Sequence, residues 1–327
     1  MFLRFFRSSF ATQYILISLI GLLLWGRTFF HPSPMPLPEG PVPFYSILFF
    51  LLSGHPHFTA ILGYLMVLVS AFLINYLITG QEIVTKNSSL TAFFFIVLMS
   101  YLPFLLTIHP VNISVFFFLL IIKQLFETYN RTESLDLIYA AGFFVSIGSF
   151  FYFPFILFYA FILMSFIVFQ STSWRDWMSS FIGLLTPYLF LIVYYFCFNK
   201  IDLKFYEYVH FFKIPFHFLI NTNPVFLIFS SILVFGLITG FFNNLSQLSE
   251  KTIEIRKKNI LLYWFILFII ISFPFAGNFQ NFYLQFTVII IAPFIASYLL
   301  RHKKTFMAEL FCLLFFIAIV LNNLIFG

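Results

Sequence analysis

Long apolar runs fill this chain, and the few polar breaks between them set its organisation. The runs last about 17–22 residues, the length of a helix that crosses a hydrocarbon core. They do not alternate with the two-residue period of a barrel strand. The pattern predicts an all-α, polytopic transmembrane helical bundle of about 11 helices. Expected helices cover Gln13–Gly26, Phe58–Thr79, Thr91–Ile108, Val111–Phe126, Leu137–Phe151 and Pro154–Gln170. A seventh runs to Phe198, and Pro224–Phe241, Ile260–Phe275, Phe282–Leu299 and Thr305–Phe326 complete the set. No linker divides the chain, so residues 1–327 read as a single integral membrane domain.

Three breaks are long. The first, residues 27–57, carries six prolines between His31 and Phe44, a density that no helix interior tolerates. It also holds Glu39 and three histidines, His31, His55 and His57. Inside it Phe44–Gly54 is too short to span and is expected to lie as a juxtamembrane or re-entrant helix. The second break, 199–223, mixes Lys200, Lys204, His210 and Lys213 with Phe205, Tyr206, Tyr208, Phe211 and Phe212. The third, 242–259, sets Leu245, Leu248, Ile253 and Ile255 among charges, with Glu254 and Lys258 spaced as a helical pair, and is expected to be a surface helix. A shorter break, Trp174-Arg175-Asp176-Trp177, reads as a loop.

Composition sharpens the class: 62% hydrophobic and 9% charged residues do not keep a domain of this length in water. The 56 phenylalanines are accounted for by codon bias toward Phe, Ile, Asn and Lys as readily as by any aromatic function. Net charge is +6, but its distribution argues topology rather than nucleic acid as a partner. Of 17 basic residues, only Arg27, Lys200, Lys204 and Lys213 fall on one side of the expected bundle. That asymmetry predicts a bacterial inner-membrane protein with its N-terminus cytoplasmic and its C-terminus outside. Arg4 and Arg7 precede the first helix without a cleavage site, so that helix is expected to be retained. Cys197 and Cys312 form no CxxC pair.

Several chemistries drop out. None of the 11 acidic residues sits at the centre of an expected span, which argues against an ion-coupled transporter. His55-Pro56-His57 gives no fixed ligand face, no H-E-x-x-H spacing occurs, and no cofactor or metal is implied. Asn75, Asn112, Ser146 and Thr186 fit interhelical hydrogen bonding better than a transport path. The tripeptide x-Pro-Phe recurs at Pro103, Pro154, Pro215, Pro274 and Pro293, either as ordinary helix termination or as the broken helix ends of an outer-leaflet cavity. Glu39 is either a solvated surface charge or a general base. Lys200, Lys204, His210 and Lys213 either anchor an amphipathic helix in headgroups or hold a lipid-linked phosphate.

Pro43-Phe44-Tyr45 followed by a short apolar helix, and a Gly-containing hairpin (Gly142, Gly148) followed by Trp174–Trp177 and a helix with Gly183 and Pro187, together resemble the GT-C class of membrane glycosyltransferases. The likeness covers the first 200 residues. It implies a polyprenyl-phosphate sugar as substrate and Glu39 as catalytic acid or base, where that class usually carries Asp. On a transferase reading, Lys200, Lys204, His210 and Lys213 are expected to hold the lipid phosphate, and the substrate cavity is expected beside His31, His55 and His57. Overall the chain is also similar to Phe-rich polytopic membrane proteins of Bacteroidota, a likeness that implies no particular activity. Three functions follow as expectations: a GT-C-like transferase or lipid-linked-sugar binder, a non-catalytic subunit organising an envelope protein complex, and a lipid transporter or flippase. In each, membrane lipid is a partner.

Overall fold

A computed structural model describes residues 6, 10–84, 88–101, 106–129, 131, 134–170, 173–211, 224–279 and 283–301. Among them the chain forms 12 α-helices, joined by turns and three short 3-10 helices, with no strand. The helices are α1 (Ala11–Phe30), α2 (Pro43–Leu52), α3 (Pro56–Gly80), α4 (Leu90–Met99), α5 (Pro110–Thr128) and α6 (Leu135–Phe151). They continue with α7 (Tyr159–Phe169), α8 (Trp174–Cys197), α9 (Ile201–Phe211), α10 (Pro224–Ser246), α11 (Ile253–Ser272) and α12 (Gln285–Arg301). Five stretches, α1, α3, α5, α8 and Ile253–Ala276, are long and apolar enough to cross a membrane. The protein is thus a helical membrane bundle.

Proline places the starts of several elements. Pro43, Pro56 and Pro110 each stand in the first turn of their helix, where the missing N–H costs nothing. Pro154 and Pro274 open the 3-10 segments Phe153–Phe158 and Phe273–Phe279. Pro293 differs and lies inside α12. Pro103 and Pro215 lie outside the described residues, as does the expected helix Thr305–Phe326.

Lipid tails are as apolar as leucine, so helices here associate by packing and hydrogen bonds rather than by escape from water. The centre shows both. Phe118 of α5 stacks on Phe265 of α11 at 4.0 Å, ringed by Phe158 and Phe161 at 5.1 and 5.2 Å. All ten residues of α4 are buried, which suits a helix apolar on every side. Asn75 of α3 donates to the Tyr14 hydroxyl (2.9 Å) and accepts from the Ala92 N–H (3.3 Å), joining three helices. Asn112 reaches the Gly63 carbonyl at 3.5 Å, and Thr186 accepts from the Tyr139 hydroxyl at 3.2 Å.

Helices α6 and α8 form a close pair. Their contacts run in register from start to end, so the two are parallel, and the chain returns from one to the other through α7, which packs on α11. Ser179 donates to the Leu135 carbonyl (2.7 Å), and Ser149 meets Tyr188 (2.6 Å) near the other end. Between these points the backbones touch. A Cβ on Gly142 would stand 2.1 Å from the Ser180 carbonyl, and one on Gly183 2.2 Å from the Tyr139 carbonyl. Only glycine permits that approach.

Two expected loops are structured otherwise. Trp174–Trp177 is the first turn of α8, not a loop, with Ser173 at the N-cap and Asp176 in the first turn. Residues 242–259 are not one surface helix. α10 continues to Ser246, and α11 starts at Ile253 and runs unbroken into the expected ninth span. The reason is a buried polar knot. Lys251 donates to the Ile83 carbonyl (3.0 Å) and Asn244 (2.8 Å), Asn244 donates to Asn259 (2.9 Å), and Lys258 donates to Gln81 and Glu254. Burial lowers the Lys251 amine from its ordinary value to about 8.

Candidate functional site

A groove of about 460 Å³ opens between α2, α6 and α8. Pro43, Phe44 and Ile47 come from α2, Phe143, Ile147 and Phe150 from α6, and Pro187, Phe190, Leu191, Tyr194 and Tyr195 from α8. The two tyrosine hydroxyls are the only polar side-chain groups in this lining. The short helix α2 forms one wall because its Phe44 ring packs edge-on against Phe150 (5.0 Å) and Phe151 (5.7 Å). Its orientation is tied from the other side, since the buried Tyr45 hydroxyl donates to the Pro36 carbonyl (2.7 Å). The proline-rich segment therefore holds α2 against the bundle.

The groove ends where α8 ends. Asn199 takes a left-handed conformation (φ 50°), and the Lys200 N–H returns to the Tyr195 carbonyl at 2.9 Å. This turn places Lys200, which is exposed, directly beyond the Tyr194–Tyr195 end of the groove. α9 then folds back over the bundle: Tyr208 and Phe211 each pack edge-on to Phe153 at 5.1 Å. Lys204 is held by Glu207 on the same helix, at 2.7 and 2.9 Å. The Tyr208 hydroxyl has no hydrogen-bond partner among the described residues, and burial pushes its pKa well up, so it stays a neutral donor.

The first two breaks, 27–57 and 199–223, meet at one glycine. Gly40 has φ +73°, and a Cβ there would stand 2.7 Å from the Phe211 ring. Next to it Glu39 is half-buried rather than fully solvated. Burial above all, then Tyr283 and last the Glu39 charge, raises the pKa of Tyr152, which packs on Phe279 (5.9 Å) and Tyr283 (6.4 Å). Among the described residues the Tyr152 hydroxyl has no hydrogen-bond partner. Tyr283 in turn hydrogen-bonds Ser272. Glu39, the phenols of Tyr152 and Tyr208 and the exposed Lys200 thus belong to segments beyond the C-terminal ends of α6 and α8, and none of them lines the groove itself. Chemically, that set can accept a proton at Glu39 and balance a phosphate's charge at Lys200.

The histidines are placed elsewhere. His31, His55 and His57 are exposed and none lines the groove. His31 and His55 occupy helix ends, and His57 Nδ1 lies 2.9 Å from the Phe29 carbonyl. His210 belongs to α9, and Lys213 lies outside the described residues. Among the described residues no three His, Cys, Asp or Glu side chains gather as metal ligands would. Sequence reasoning does not single out Tyr152, Tyr195 or Tyr283. A phenol inside an apolar run gives no local signal, and only the tertiary structure groups them.

Compared with known proteins, residues 43–326 match the model of DUF6427, described as a family of unknown function. No curated protein and no solved structure matches.

Proposed function

We propose, for a chain that belongs to the DUF6427 family, that it binds a lipid-linked phosphate, its hydrocarbon chain in the α2–α6–α8 groove and its phosphate at Lys200. The observation that carries this reading is an apolar slot lined as far as Tyr195, with the exposed Lys200 bonded back to that residue through its backbone N–H. A tail gains little by leaving lipid for an apolar groove, so affinity for one lipid over another comes from the headgroup. A single lysine near a membrane surface contributes roughly 1 kcal/mol toward an anionic lipid.

The GT-C-like transferase reading extends this one. Glu39 then takes the proton from the acceptor hydroxyl that attacks the sugar's anomeric carbon, while Lys200 balances the lipid phosphate that leaves it. Glu39's half-burial and its interaction with Tyr152 support a carboxylate held in place over one free in solvent. The organising-subunit reading draws on a different feature. α8 has only 22% of its apolar window buried, leaving Leu189, Ile192, Val193 and Phe196, outside the groove, exposed to lipid or to a neighbouring protein.

Native mass spectrometry of the protein released from nanodiscs containing a polyprenyl phosphate separates these readings. The lipid-binding account expects retained polyprenyl phosphate, lost on filling the groove with Ile147→Trp and weakened about tenfold by Lys200→Glu. Equal retention by all three proteins would refute it. If binding persists in Glu39→Gln while sugar transfer stops, the transferase extension stands. A stoichiometric protein partner with no retained lipid points instead to the subunit reading.

A further inference from the structure

A second cavity, larger than the groove, lies at the other end of α6 and α8. It is a cleft of about 1030 Å³, bordered by the starts of both helices and by Lys257 of α11. α6 has 17 residues, so this cleft sits about 25 Å from the end of the groove. Its lining is polar, in contrast to the groove: Thr128, Ser134 and Ser173 supply hydroxyls, and Arg131, Arg175 and Lys257 supply cations. The topology rule accounts for basic residues collecting at one end of a bundle. It does not account for three of them, from three separate segments, facing one cavity.

Their pairing decides what the cleft can hold. Asp136 lies 3.7 Å from Arg131 and answers that guanidinium. Arg175 is exposed and forms no ion pair among the described residues. Lys257 donates to a neutral acceptor, the Gln170 side-chain oxygen (2.9 Å), and stands 5.5 Å over the Tyr129 ring. Gln170 reaches it from a left-handed backbone conformation (φ 61°), an uncommon state for a non-glycine residue. Asp176, the second carboxylate of the lining, leaves an excess of one positive charge. The Ser134 and Ser173 hydroxyls do not cap their helices. Arg175 and Lys257, which form no ion pair among the described residues, with hydroxyls beside them and one positive charge in excess, make a donor set for an oxygen-rich anion.

We infer that this cleft binds a phosphate-bearing ligand through Arg175, Lys257 and the Ser134 and Ser173 hydroxyls. The phosphate arrives either on a soluble small molecule or on a lipid headgroup of the adjoining leaflet. The volume exceeds what a bare phosphate fills, so the group attached to it also has room.

The test uses the full chain in nanodiscs of phosphatidylcholine, with inorganic pyrophosphate as the soluble probe and phosphatidate as the lipid probe. Pyrophosphate binding is read by calorimetry and phosphatidate retention by native mass spectrometry. The expected result is binding of at least one probe, weakened about tenfold or more by Arg175→Gln with Lys257→Gln. Loss with pyrophosphate identifies a soluble ligand, and loss with phosphatidate alone identifies a headgroup. Arg175 is exposed, so Arg175→Gln by itself serves if the double variant does not fold. Binding of neither probe, or binding indifferent to Arg175, would overturn the inference.

Discussion

Replacing Gly183 with alanine tests how the bundle is held together. The new Cβ would stand 2.2 Å from the Tyr139 carbonyl and 3.2 Å from the Phe143 nitrogen, both backbone atoms that no rotamer change can move. Ordinary contact begins at 3.4 Å, so α8 must retreat from α6 by roughly 1 Å. Such overpacking costs about 1–3 kcal/mol. Gly26 is the matched control, because nothing lies within 4 Å of a Cβ there. In that open helical position alanine is favoured over glycine by about 0.5–1 kcal/mol. The same chemical change is therefore expected to destabilise at residue 183 and to stabilise at residue 26. Reversible unfolding in mixed micelles, titrated with SDS, reads both. Gly183→Ala also widens the gap that shapes the groove, so polyprenyl-phosphate retention falls with stability. If the two variants shift in the same direction, the close α6–α8 approach is refuted.

Other perturbations act on single contacts. Asn75→Leu breaks two interhelical hydrogen bonds and is expected to cost about 0.6–2 kcal/mol in the same unfolding assay. Tyr45→Phe removes the hydrogen bond to Pro36 and is expected to cost about 0.5–1.5 kcal/mol while raising protease cleavage within residues 31–42. Lys251 holds its proton less tightly when folded than when unfolded, so between pH 8 and 10.5 the unfolded chain binds more protons. Stability is then expected to rise with pH across that window from this residue, and the rise should vanish in Lys251→Met when unfolding is repeated at several pH values.

Much of the architecture is legible in the chain. Pro43, Pro56 and Pro110 announce helix starts, and the apolar runs predict the spans through the length a bilayer demands. The departures have a common cause. Trp174–Trp177 and 242–259 carry charges, and charge in an apolar chain suggests solvent exposure. Ser173 followed by Asp176 is a helix-start signal that a loop assignment overlooks. Lys251 and Lys258 are buried because carbonyls and amides from distant segments meet them, a condition that no local pattern encodes. The site is partly legible. Glu39 and Lys200 stand out by type in an apolar chain, whereas the groove depends on Ile147, Phe190 and Tyr194, which resemble any lipid-facing residues until α2 folds over them.

An occupied groove ending at Lys200 is the central claim. A density map of the protein in nanodiscs with added polyprenyl phosphate tests it most directly. The expected map shows an elongated density lying between Phe44, Phe150 and Tyr194, with its phosphate at Lys200 and near Glu39. A groove closed by its own side chains, or a lipid whose phosphate lies away from Lys200, would contradict the claim.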